Sequence, residues 1–419
     1  MVVAHGTTAT RRAFAVRMIV IWSAVFSSAI ILGCAVDRCE SEVAGCDRFT
    51  EVRDSAGVVI VENEDAPERL DGWVVHTNPT LEIGADLGMS PDYQFASILG
   101  ALRTADGGVV VADGHGDEPI VREYGPEGQV VGTWGRGGEG PGEFRSISGM
   151  HRLAPDSIVI WDLQLGRMTV FGPGGSPGRS TRLQVGNYTL EGTITGGGLL
   201  FGEIRTFTFQ AGVQHSDGYH RYNKVYRIHD RDARPIGILG PFADQEYHNT
   251  ITSTALRFIQ LPYSRQTSAG IWNGLPVVGV SDTYEIRAYA ADGSPSMIVR
   301  LDRRPTPVAA ADRQAYLQVD QEDLLANRIN VPMASHIPMF DAIIGDELGC
   351  LWVRDYDLPG QGPNTWTVFN SRGTAIARSE MSDSLRIWEI GRDYVLASQT
   401  GPLGIQSLVV LPLRRSDCR

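Results

Sequence analysis

Val109-Val110-Val111-Ala112-Asp113 is followed by Val121-Arg122-Glu123-Tyr124-Gly125-Pro126-Glu127-Gly128; further on, Ile158-Val159-Ile160-Trp161-Asp162 is followed by Met168-Thr169-Val170-Phe171-Gly172-Pro173-Gly174-Gly175. Each stretch is an apolar β-run ending in Asp, a polar turn, a second β-run ending in an aromatic residue, and a turn closed by glycine. The two copies repeat at a period of roughly 48 residues, in the range of supersecondary repeats. Looser copies follow. Pro276 to Asp282 leads to Ile286-Arg287-Ala288-Tyr289 and Gly293, and Leu351-Trp352-Val353-Arg354-Asp355 leads to Trp366-Thr367-Val368-Phe369 and Gly373. Between them Leu199 to Gly202 pairs with Val225 to Ile228, with Asp232 at the glycine position, and a partial last copy runs through Tyr394-Val395-Leu396 and Leu408 to Leu411. A unit of about four short strands cannot bury both faces of its sheet, so neighbours must cover them and the ring must close. The expectation is all-β: a single six-bladed β-propeller of four-stranded blades over residues 51–414. An amino-terminal strand at Val58–Val61 would complete the last blade. Two insertions interrupt the period: a long hairpin between Gly202 and Lys224, and a helical pattern from Pro307 to Asn327.

The amino terminus reads as an address. Arg11, Arg12 and Arg17 precede an uncharged apolar run from Met18 to Leu32 that ends in Leu32-Gly33-Cys34. A basic start, a short apolar run and a small residue before the cut are signal-peptide features, and the run is short for a spanning helix. Residues 1–33 are therefore expected to be removed and 34–50 to serve as a tether, with Cys34 as the lipidated residue. The protein would be exported and held on a membrane facing the periplasm or cell exterior. Export permits disulfides: Cys39, Cys46 and Cys418 are the candidates, paired either as Cys418 with Cys39 or Cys46, or as Cys39 with Cys46. Cys350, in an apolar strand, reads as a buried free thiol. The formal net charge of -12 sets the surface against phosphate backbones, so no nucleic-acid partner is expected.

Trp134-Gly135-Arg136-Gly137-Gly138-Glu139-Gly140-Pro141-Gly142-Glu143-Phe144 resembles the repeat of NHL-type propellers. Asp54-Ser55-Ala56-Gly57-Val58 and Leu351-Trp352-Val353-Arg354-Asp355 resemble the bacterial six-bladed β-propeller lipoproteins that carry such repeats. The resemblance covers nearly all of residues 50–414. It implies the fold, and it implies little about function, because propellers host both binders and enzymes. Gly135 to Gly140 also satisfies a dinucleotide fingerprint, but Pro-Gly-Glu-Phe and another β-run follow where the phosphate-binding helix should start.

Asp113, Asp162, Asp282 and Asp355 recur at one point of the repeat. Such residues ordinarily accept backbone N–H groups in the next turn; as a ring they would be a candidate site for a polar ligand or a divalent cation. The hairpin's Phe207, Phe209, His215, Tyr219, His220 and Tyr222 are the candidate partner-binding set. The leading functional expectation is a non-catalytic binding or scaffolding lipoprotein of the cell envelope, with a protein, peptide or glycan ligand. The alternative is a metal-dependent hydrolase or lyase acting in the central channel; no catalytic residue is identifiable.

Overall fold

The chain divides into two units, 1–36 and 37–419, and only the second contains described residues. The computed structural model describes residues 50–84, 90–114, 119–154, 157–183, 186–204, 216–251, 256–319, 332–358, 362–401 and 404–416. Residues 1–49, with Cys34, Cys39 and Cys46 among them, and Cys418, Phe207, Phe209 and His215 lie outside the described residues.

The fold is all-β. Four strands come first: β1 (Thr50–Ser55), β2 (Val58–Glu64), β3 (Asp71–Val75) and β4 (Leu81–Ile83). The described strands after them form antiparallel meanders. The first is β5 (Ile98–Arg103), β6 (Val109–Asp113), β7 (Ile120–Tyr124) and β8 (Val130–Gly137), with the two-residue β9 (Glu143–Phe144) paired parallel to the end of β8. The second is β10 (Ile147–Ala154), β11 (Ser157–Asp162), β12 (Arg167–Phe171) and β13 (Pro177–Arg182). The third is β14 (Tyr188–Ile194), β15 (Gly198–Glu203), β16 (Gly218–His229) and β17 (Pro235–Ile251), extended by β18 (Leu256–Gln260). The fourth is β19 (Thr267–Trp272), β20 (Leu275–Val280), β21 (Glu285–Tyr289) and β22 (Pro295–Asp302). Helix α1 (Ala310–Val319) separates it from the fifth: β23 (Phe340–Gly345), β24 (Leu351–Asp355), β25 (Asn364–Phe369) and β26 (Ala375–Met381). The sixth supplies only β27 (Leu385–Ile390), β28 (Tyr394–Thr400) and β29 (Gln406–Arg414).

Second strands are apolar on both faces because sheets cover them on both sides: every residue of β6 is buried, and Trp161 of β11 and Trp352 of β24 are fully enclosed. First strands lie side by side in chain order, β5 against β10, β10 against β14, β14 against β19 and β19 against β23, and β27 returns to β5. Glycine permits this approach. A Cβ on Gly100, Gly149, Gly192 or Gly270 would come within 2.9, 2.8, 2.4 and 2.8 Å of the next meander's first strand, at Met150, Leu190, Ile271 and Ile343 respectively.

Three expectations are corrected here. Val58–Val61 does not complete the last meander: β2 runs parallel to β22, on the outer edge of the fourth. Ile60 and Val61 are both buried, so the run is covered on both faces, but an apolar pattern does not say which sheet edge it takes. Asn63 decides it, donating to the carbonyls of Arg300 (3.0 Å) and Gly373 (2.9 Å) and accepting from Ala375 N (2.9 Å). From there β3 pairs with β26 and β29, and β4 supplies the fourth strand of the sixth meander on β29. The third meander's turn residue is Ala233 (φ +68°), not Asp232; its N–H bonds Asp230 O as Gly128, Gly175, Gly293 and Gly373 each bond the third residue back. Cys350 is disulfide-bonded rather than a free thiol. It is fully enclosed, with Arg415 Nη1 3.6 Å from its sulfur, so an apolar strand context alone did not separate a bridged cysteine from a free one.

Candidate functional site

Three connections from different parts of the chain meet around a cavity of about 170 Å³. Between β18 and β19, Leu261-Pro262-Tyr263-Ser264 forms a tight turn closed by Ser264 N donating to Leu261 O (3.0 Å). Proline suits the second position of such a turn, but Tyr263 occupies the third with φ +57°, a place for which glycine is the usual choice. A bulky side chain in that region costs on the order of 1–3 kcal/mol and persists only where the surroundings over-determine it. Here they do. Glu246 accepts Arg265 N (2.9 Å) and, through its own N–H, donates to Ser264 Oγ (2.8 Å), while Ala334 N donates to Pro262 O (3.1 Å). Arg265 also donates through Nε to Glu246 (3.0 Å). Burial alone would raise the Glu246 carboxyl, but the Arg265 bonds prevail and hold it below its ordinary value.

The Tyr263 ring is buried between two others. Tyr316 of α1 lies 5.6 Å away and Tyr356, the residue after β24, lies 6.0 Å away, both tilted. The Tyr263 hydroxyl donates to Asp312 O (2.8 Å), tying the turn to α1; burial pushes its pKa up to about 12. No described residue bonds the Tyr356 hydroxyl. Asp341 completes the wall. It is the extra residue of a β-bulge in β23, where Phe340 and Ala342 oppose Asp355 and Arg354, and a bulge re-aims the side chain it carries. Arg354 Nε donates to Asp341 Oδ1 at 2.5 Å. Burial pushes the Asp341 carboxyl above its ordinary value against the opposing pull of Arg354. Gln266 donates from Nε2 to Asp341 O (3.3 Å), and Gln260 closes the rim.

The four recurring aspartates divide into two kinds. Asp113 accepts Ala96 N and Ser97 N, and Asp162 accepts Arg145 N and Leu165 N, so both cap backbone. Asp282 is gripped by both Arg221 nitrogens (2.9 and 2.6 Å) and by Arg265 (2.8 Å). Asp355 takes Arg303 (3.0 Å), Arg378 (3.3 Å) and the Tyr284 hydroxyl (3.0 Å). Among the described residues no three His, Cys, Asp or Glu side chains gather as a metal-ligand group. Of the described hairpin residues, Tyr219 is half-exposed and donates to Glu246 (2.8 Å), His220 stacks on Tyr222, and Tyr222 accepts from Asn249 (3.0 Å). Sequence reasoning passed over Tyr263 and Asp341, and Tyr316 fell only within the helical pattern expected from Pro307 to Asn327. One available signal was Tyr356, directly after the recurring Asp355.

No family model and no curated protein matches the chain. Among solved structures it is similar to a Bacteroides fragilis protein described as exported, at 12% identity and a TM-score of 0.44, over 85% of this chain and 99% of that one. A DUF4221 family member from Bacteroides vulgatus gives 9% identity and a TM-score of 0.45, over 83% and 99%. A gluconolactonase from Xanthomonas campestris gives 12% and 0.37, over 81% and 100%. At these values none of the likenesses bears on what this chain binds.

Proposed function

We propose that the protein is an exported, lipid-anchored six-bladed β-propeller that binds a small polar ligand without transforming it, at the tyrosine-lined pocket. The cyclic order of adjacent first strands, with β4 returning from the amino-terminal side to complete the sixth meander, supports the propeller reading. The basic, apolar, Leu-Gly-Cys amino terminus supports export and lipidation at Cys34. The bridged Cys350 supports an oxidising compartment. The single observation that carries binding is Tyr263: a bulky residue held at positive φ, its ring packed between two others that line a cavity with it. Strain of that kind is retained where position matters.

The test is a thermal-shift screen of small polar compounds on the wild type and on Tyr356→Ala. Compounds that stabilise only the wild type, and are recovered unchanged, support the reading. A compound consumed in a pocket-dependent way would overturn it in favour of a hydrolase or lyase.

A further inference from the structure

We infer that the pocket takes one neutral sugar ring, a single pyranose unit; the inference rests on the binding reading above. The charge of the lining comes first. Asp341 is offset by Arg354 at 2.5 Å, and Tyr263, Tyr316, Tyr356, Gln260 and Gln266 carry none. A ligand with net charge would meet no uncompensated partner, and its desolvation would go unrewarded.

The second point is the kind of polar group. Each glutamine amide offers both donors and an acceptor, a tyrosine hydroxyl does both, and a carboxylate fixed by arginine through one oxygen keeps the other as an acceptor. With Gln266 Nε2 engaged on Asp341 O at 3.3 Å, its carbonyl oxygen faces no described donor. Hydroxyl groups, which donate and accept together, match that mixture better than an amine or a carboxylate does. Third, Tyr316 and Tyr356, half-buried and tilted on either side of the enclosed Tyr263 ring, give the pocket a weakly polar aromatic wall against which the C–H groups of a sugar ring pack while its hydroxyls reach the amides. Last is size: about 170 Å³ is below the range of pockets that enclose drug-sized molecules, so one ring enters and an oligomer contributes only a terminal unit.

The experiment is saturation-transfer NMR on the purified full chain with glucose, galactose, mannose and N-acetylglucosamine as probes, and tetramethylammonium as the charged comparison. At least one sugar should bind saturably, weakened about tenfold by Tyr356→Ala and by Gln266→Leu, the loss expected for one ring contact or hydrogen bond. If Tyr356→Ala melts below the assay temperature, Tyr356→Phe and Gln266→Leu carry the comparison. Pocket-dependent binding of tetramethylammonium and of no sugar would overturn the sugar assignment while leaving the pocket a binding site. Sugar binding that neither variant weakens, or no pocket-dependent binding by any probe, would overturn both.

Discussion

Replacing Asn63 by leucine should detach the amino-terminal strands from the meanders they cover. The side chain is 3% exposed, and its four polar contacts span three parts of the chain: Arg300 O, Gly373 O, Ala375 N and the Thr50 hydroxyl at 3.1 Å. Leucine has nearly the same size, so the loss is of hydrogen bonds rather than volume. Thr50, near the surface, can turn to water; the other three are backbone groups left in a dry seam. A buried group stripped of its partner costs about 1–3 kcal/mol, so three at the low end give about 3 kcal/mol, less what added apolar burial returns. Equilibrium urea unfolding followed by tryptophan fluorescence is the assay, because Trp73 on β3 is buried beside the same seam and donates to Ser416 O (3.0 Å). The expected result is a lower midpoint, or an early separate transition in which Trp73 reddens first. Val52→Ala, at a residue 61% exposed on β1, should leave the curve unchanged. If Asn63→Leu unfolds within 1 kcal/mol of the wild type, a threshold set by the low end of that range, Asn63 is not what fixes β2 to the fourth and fifth meanders.

Arg303→Met removes the closest cation from the buried Asp355 carboxylate and frees Asp65, which Arg303 holds at 2.8 and 3.0 Å; with Arg378 remaining, about 3 kcal/mol of destabilisation is expected, and Asp355→Asn in the same chain should recover part of it in a double-mutant cycle. Burial already raises the Asp355 carboxyl above its ordinary value, so the folded state holds its proton to higher pH than the unfolded state does; that contribution is complete below the unfolded pKa and is lost as pH rises through the folded one. Without Arg303 that loss should grow, and a difference in unfolding free energy between variant and wild type that does not widen from pH 4 toward neutrality, the span above the ordinary Asp value, would contradict this account. Mass spectrometry of membrane-extracted protein should show residues 1–33 absent and a diacyl group on Cys34, and intact Met1 would refute the lipoprotein reading. Non-reducing peptide mapping should join Cys350 to Cys418: Arg415 already touches the Cys350 sulfur, and two residues beyond Ser416 span at most about 7 Å. A Cys418 link to Cys39 or Cys46 would instead support the pairing across the chain ends.

The repeat was legible because its physics is local. An all-apolar second strand followed by Asp, as in Val109 to Asp113, states that both faces of a sheet are covered, and with turns rather than helical patterns between the first copies, neighbouring sheets of the same kind are what cover them. A second repeat stood in the sequence unread. Ile98-Leu99-Gly100, Ile147-Ser148-Gly149 and Leu190-Glu191-Gly192 each set a β-bulge and then a glycine at the close approach of first strands. Phe340-Asp341-Ala342 is the same device with alanine in place of the glycine; its bulged residue is a carboxylate, as Glu191 is in the third copy. Once the first three copies are aligned, this one marks Ala342, next to Asp341, as the place where the pattern has been altered. The edge taken by β2 was not legible in that way, since Val58 to Val61 would suit several outer edges and only the three backbone partners of Asn63, far away in the chain, choose among them. The pocket was less legible still. Tyr263, Tyr316 and Tyr356 stand in three connections that the repeat does not constrain, and no spacing relates them. What the sequence does carry is Pro262 before Tyr263, a pair that suits the middle of a turn; that the ring stands where glycine belongs shows only in its φ of +57°. That local contradiction has no explanation within the turn itself, so it points to a ring whose position was worth its strain.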